Sequence, residues 1–200
     1  MMTRFDQLVQ QWAPAAAILG GLVWIAYTLA AMLQPWGSYA SYTDPRGGIT
    51  LTNATAFGVT ALLGGAALLL LGLALAGAAR RIGLPDRLPG QIGVALGLIG
   101  GAAGLALWAG ALLHQVNLVA AALNAGAILI AIGAMLLAID GAGREMATPL
   151  FIVGGLGMAA VFAAALVSLV TWMQPVYAAL VMAVYGFAWV RFGDMLGKDR

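Results

Sequence analysis

An all-α bundle of six membrane-spanning helices is the fold class this sequence predicts, and three observations predict it. Hydrophobic residues make up 63% of the chain and charged residues 8%, where a soluble domain carries roughly 25% charge; mean hydropathy is +0.99. The apolar residues fall into six runs, each near the about 20 residues needed to cross the hydrocarbon. Those runs are continuous rather than alternating, which selects helices over a barrel, because backbone in lipid must satisfy its own hydrogen bonds. Little chain is left for a second domain, so residues 1–200 read as one six-helix membrane domain.

The segment MTRFDQLVQQW places Phe5, Leu8, Val9 and Trp12 at i, i+3, i+4 and i+7, with Arg4, Gln7 and Gln11 turned elsewhere. That pattern predicts a short helix lying in the inner interface. The first span follows, Pro14 to Leu33. Ser38-Tyr39-Ala40 imitates a signal cleavage site, but the apolar stretch before it exceeds the 7 to 15 residues typical of a signal core, so the helix is expected to be retained. Next comes the one long connection, QPWGSYASYTDPRGGITLTNAT. Asp44-Pro45-Arg46-Gly47 fits a type I turn, and the flanking SYASYT and ITLT are rich in β-formers, which predicts a small β-hairpin over the outer mouth.

The second span, Ala54 to Ala78, ends at RRIGLPDRLPG, whose prolines prevent the helix from continuing. In the third, Gln91 to Leu113, Gly93, Gly97, Gly100, Gly104 and Trp108 recur every three or four residues and share one side. Lipid gives helices no hydrophobic reason to associate, so small residues that let backbones approach must supply the contact. This helix is therefore expected to be central, and its glycine face to serve packing, including onto other membrane subunits. The fourth span, Leu118 to Ile139, carries Gly126 and Gly133 at the seven-residue spacing of Gly58, Gly65 and Gly72 in the second. Sliding by 61 positions aligns Gly65 with Gly126 and Gly72 with Gly133, which raises a repeat of helix pairs. The fifth span is Pro149 to Trp172. In the sixth, Pro175 to Val190, Tyr177, Val181, Tyr185 and Trp189 form a stripe at every fourth residue. Trp24, Tyr27 and Trp108 would line an aromatic, nearly uncharged pocket with it.

Orientation follows from basic residues, which collect on the cytoplasmic side. With the N-terminus inside, Arg4, Arg80, Arg81, Arg87, Arg144, Arg191, Lys198 and Arg200 are cytoplasmic and Arg46 alone is outside. Both termini are thus expected in the cytoplasm of a bacterial cell, the protein lying in the inner membrane. Trp12 and Trp189 would stand in the inner interfacial belt, and Trp36, Tyr39, Trp172 and Tyr177 in the outer. The slight positive charge then reflects topology, not nucleic-acid binding.

No constellation for catalysis emerges. The chain has no cysteine and one histidine, which removes thiolate sites and haem held by two histidines of one chain; no metal or other cofactor is expected. Every charged residue falls in a loop, a tail or a helix end, Asp140 included, whereas proton relays and ion-coupled pumps carry ionisable groups within the membrane. Serine and threonine in the helices, such as Thr28, Thr60, Ser168 and Thr171, should bond back to their own helix or a neighbour. His114, Gln115 and Asn117 form the outer turn between the third and fourth helices, where capping is the plain role and an outer vestibule the sharper one. Candidate vestibule residues are Trp36, Tyr39, Tyr42, Asp44, Arg46, His114, Gln115, Asn117, Trp172, Gln174 and Tyr177.

Three functions fit. The favoured one is an accessory or scaffold subunit, or a bundle that binds a lipophilic ligand, with the bilayer and other membrane subunits as partners. The second is a substrate-capturing subunit of a small-solute transporter. In outline the chain resembles the substrate-binding subunits of energy-coupling-factor vitamin transporters, which are also small six-helix proteins with both termini inside. The resemblance spans the whole chain and rests on size, topology and loop length; it implies that the first outer loop closes over a ligand. The third is a membrane enzyme using His114.

Overall fold

The structure, a computed structural model, describes residues 4–33, 40–42, 49–51, 53–83, 85, 87–169 and 175–198. Six long helices dominate it: α1 (Arg4–Leu33), α2 (Ala54–Arg81), α3 (Leu88–Leu112), α4 (Val116–Asp140), α5 (Ala147–Leu169) and α6 (Pro175–Lys198). Each contains a stretch long and apolar enough to cross a membrane, which makes the chain an integral membrane protein with six candidate spans among the described residues. Between α1 and α2 the backbone forms β1 (Ala40–Tyr42) and β2 (Ile49–Leu51), paired antiparallel with Ala40 opposite Leu51 and Tyr42 opposite Ile49. The turn expected at Asp44 to Gly47 lies outside the described residues.

Local chemistry explains where the helices begin and end. The Asn53 side chain caps α2, accepting from the Ala56 N–H at 3.0 Å. Pro89 stands in the first turn of α3, where its missing N–H costs nothing. Gly83, at φ 70°, ends α2 in the left-handed conformation that glycine adopts without strain.

Each helix packs on the next in sequence, α1 also packs on α6, and α2 touches α4 directly. The result is a ring of α1, α2, α4, α5 and α6, with α3 seated outside it in the groove between α2 and α4. The expectation of a central α3 is therefore corrected. Of the apolar stretch of α2, 56% is buried, and of α4, 50%; the figure for α3 is 33%. What α3 buries is its glycine side, Gly90, Gly93, Gly97, Gly100, Gly101, Gly104 and Gly110 with Leu107. Leu98, Ile99 and Leu105 on its other side are exposed, as lipid-facing residues should be.

Two seams of bare backbone hold α3. A Cβ added to Gly72 of α2 would lie 2.6 Å from the Gly97 carbonyl oxygen and 2.7 Å from the Gly101 Cα, and Gly104 lies against the Gly65 carbonyl. On the other side, a Cβ on Gly100 would lie 2.7 Å from the Gly126 oxygen, and one on Gly93 2.8 Å from the Gly133 oxygen. Gly93, Gly97, Gly100 and Gly104 all make close contacts of this kind within the chain. Gly58 has open space around it and joins neither seam.

Two boundaries differ most from expectation. The N-terminal amphipathic segment is not a separate interfacial helix but the first turns of α1, continuous through Pro14. It is held because Val9 and Ala13 pack on Gly77 near the end of α2. Likewise α6 runs past Val190 to Lys198. Phe192 and Leu196 are buried there, a Cβ on Gly193 would lie 2.7 Å from the Pro14 oxygen, and Asp194 bridges Arg191 and Lys198 at 2.9 Å each. These contacts also show that the starts of α1 and the ends of α2 and α6 share one end of the bundle, called here the terminal face.

Candidate functional site

Aromatic side chains fill the space between α1 and α6. Trp24 and Tyr27 lie 5.5 Å apart by ring centroids, Trp24 and Tyr185 5.3 Å, Tyr185 and Trp189 6.3 Å, and Trp189 and Phe192 5.7 Å. All five are at most 3% exposed, and the Trp24 indole donates to the Met182 carbonyl at 3.0 Å. The rings meet at tilted or edge-to-face angles, the favoured arrangement for aromatic pairs. So the stripe on α6 meets Trp24 and Tyr27 as expected, yet the result is a packed cluster. Two expectations need correction. Trp189 is fully buried and stands in no interfacial belt. Trp108 lies elsewhere, against Gly65, donating to the Leu62 carbonyl at 3.2 Å.

At the end opposite the terminal face, a cavity of about 20 Å³ is lined by Tyr27, Phe57, Thr60, Leu107, Val119 and Leu123, among others. That is room for roughly one water molecule. The Thr60 hydroxyl donates to the Ala56 carbonyl, and Thr28 to Trp24, each at 2.9 Å, so both threonines bond back to their own helix as expected.

Two larger spaces open sideways from the bundle. Between α1 and α2, Leu8, Trp12, Ala16, Leu19, Leu70 and Leu73 border an apolar groove of about 270 Å³. Between α5 and α6, near the terminal face, a groove of about 430 Å³ has Ile152, Val153, Ala188, Phe192 and Met195 as walls and Glu145, Thr148 and Arg191 as its polar part.

The terminal face is also stitched across its turns. Asp140, buried at the end of α4, accepts from the Arg87 N–H at 3.1 Å, which caps the start of α3. Arg144, in the following turn, donates to the Ile82 and Gly83 carbonyls, the second at 3.0 Å. A positive helix start and a carboxylate attract. This confirms Asp140 as a helix-end residue with a structural role.

Of the residues expected to form an outer vestibule, Trp36, Tyr39, Asp44, Arg46, Trp172 and Gln174 lie outside the described residues, and Tyr42 is described only as backbone of β1. His114, Gln115 and Asn117 come together in the α3–α4 turn and are exposed; Tyr177 is exposed in the first turn of α6. His114 has φ 55°. Its N–H donates to the Ala111 carbonyl at 3.1 Å and that of Gln115 to the Gly110 carbonyl at 2.7 Å. This is the Schellman closure of a helix, with His114 in the position glycine usually takes. Among the described residues no three His, Asp or Glu side chains converge as a metal site would require. The α5–α6 groove escaped the reading of the sequence, since Glu145 and Arg191 lie 46 positions apart and each looks like an ordinary end charge.

The chain matches no family model, no curated protein and no solved structure.

Proposed function

We propose that the protein is a small membrane bundle that works by binding: an accessory or scaffold subunit that holds a lipophilic ligand against its flanks. One observation carries this. The interior cavity has about 20 Å³, whereas the lateral grooves have about 270 and 430 Å³, and small-molecule sites commonly occupy about 300 to 1,000 Å³. The flanks have the right size and open toward the acyl chains. Purification from native membranes in mild detergent, followed by native mass spectrometry, tests it. A bound lipophilic species or a copurifying membrane polypeptide is expected; a bare monomer with neither would end this reading.

The same reading puts both termini in the cytoplasm of a bacterial cell and the strand pair β1–β2, as a small hairpin, over the opposite mouth. Its support is that the described basic residues, Arg4, Arg80, Arg81, Arg87, Arg144, Arg191 and Lys198, belong to the terminal face. Because the chain has no cysteine, single introduced cysteines would report sidedness cleanly with an impermeant thiol reagent.

A second reading, the substrate-capturing subunit of a small-solute transporter, draws on the cavity beside Tyr27, Phe57 and Thr60, which lies at the end of the bundle where the α1–α2 loop and His114 are. It requires that cavity to open more than tenfold in volume. A thermal-shift screen of vitamins decides it, since a true ligand at a hundredfold excess over Kd stabilises by about 2.7 kcal/mol. A membrane enzyme using His114 has the least support, and His114→Ala without effect on any assigned activity would remove it.

A further inference from the structure

We propose that the groove between α5 and α6 binds one phospholipid whose headgroup carries a primary ammonium. This deepens the flank-binding reading above and rests on it. The groove's apolar part, Ile152, Val153, Ala188, Phe192 and Met195, is bordered by Glu145 on the α5 side and Arg191 on the α6 side. Arg191 lies seven residues before Lys198 at the helix end, or about 10 Å along the axis at 1.5 Å per residue. The groove's own polar part is Glu145, Thr148 and Arg191, with apolar surface continuing beside them, while Lys198 lies beyond the lining toward the helix end.

Charge decides which headgroup. Arg191 and Lys198 are balanced by Asp194, which bonds both at 2.9 Å, and by Glu145. In the lining itself Glu145 and Arg191 are one anion and one cation, which suits a zwitterion. Arg144 keeps its positive charge but does not line the groove, its guanidinium being held by the carbonyls of Ile82 and Gly83. Only Nη1 of Arg191 bonds Asp194, and a guanidinium has five N–H donors in a planar fork matched to phosphate oxygens. The Glu145 carboxylate can accept hydrogen bonds from a primary ammonium, which has three donors; a quaternary ammonium has none to give. An anionic headgroup would meet Glu145 with like charge. The α1–α2 groove, bordered by apolar side chains alone, has no means of telling one headgroup from another.

The test is native mass spectrometry of the whole protein released from nanodiscs of equimolar phosphatidylethanolamine, phosphatidylcholine and phosphatidylglycerol. One retained phosphatidylethanolamine is expected, favoured by about tenfold, the effect of one hydrogen bond to a charged group. Glu145→Gln should erase the preference over phosphatidylcholine, and Arg191→Gln should lower retention of every phospholipid. Ile152→Trp should displace the bound lipid, while Leu19→Trp, in the α1–α2 groove, should not. Glu145, Arg191 and Ile152 are exposed, so these variants should fold. Equal retention of the three lipids, preference for phosphatidylglycerol, or indifference to both Glu145→Gln and Ile152→Trp overturns the proposal. Lipid retained indifferently would leave the flank-binding reading standing, whereas no retained lipid or partner at all would remove both.

Discussion

Along α3 the helices touch through bare backbone; along α6 they touch through rings. Gly72, Gly104, Gly100 and Gly93 let three backbones approach until a single added Cβ would overlap a neighbour. Around α6, Tyr185, Trp189 and Phe192 fill the space to Trp24 with large side chains. The division is not complete, since Gly186 and Gly21 also meet, a Cβ on Gly186 lying 2.8 Å from the Gly21 oxygen. Lipid is as apolar as leucine, so neither half is driven together by water. Both depend on dispersion between close atoms, which is lost whenever a gap opens or an overlap forces one. The half made of glycine should therefore fail on gaining atoms, and the half made of rings on losing them.

The largest effect should come from the rings. Trp189→Ala empties a fully buried site and should cost about 3 to 5 kcal/mol, read as reversible unfolding in mixed micelles. A loss under about 1 kcal/mol would mean the cluster is loosely packed. Next is Gly72→Val, placed against the Gly97 oxygen and the Gly101 Cα; it should cost about 3 kcal/mol and weaken the hold of α3 on α2. If that variant unfolds like the native protein, the seam is not a contact. A smaller change of opposite sign is expected at the turn between α3 and α4: His114→Gly relieves φ 55° and should raise stability by up to about 1 kcal/mol. A fall in stability would show that the imidazole does more than close the turn.

Much of the fold can be read from the chain, because spans are written in continuous apolar residues and the glycines of α3 recur at helical spacing. The shared spacing of Gly65 with Gly72 and of Gly126 with Gly133 has a physical cause: α2 and α4 each meet α3, and each step of seven along them matches a step of seven back along α3. What cannot be read is which partner a face meets. The glycine face of α3 marks it as closely packed, yet a helix can pack closely and still lie outside the ring. Trp189, near the end of an apolar run, looks like a belt residue until α6 is seen to continue through Phe192 and Leu196. His114 offered one clue, since no glycine stands between α3 and α4 to take the left-handed position. The α5–α6 groove offered none, being assembled from residues remote in sequence.

The claim that these glycines exist for contact is tested most directly by measuring the unfolding free energy of Gly100→Ala beside Gly155→Ala. Both positions are helical; an alanine Cβ at the first would press on the Gly126 oxygen at 2.7 Å, and at the second would meet nothing within 4 Å. Opposite signs are predicted, a loss of about 1 to 3 kcal/mol at Gly100 from overpacking and a gain of up to about 1 kcal/mol at Gly155 from helix propensity. The same sign and size at both positions would contradict the account.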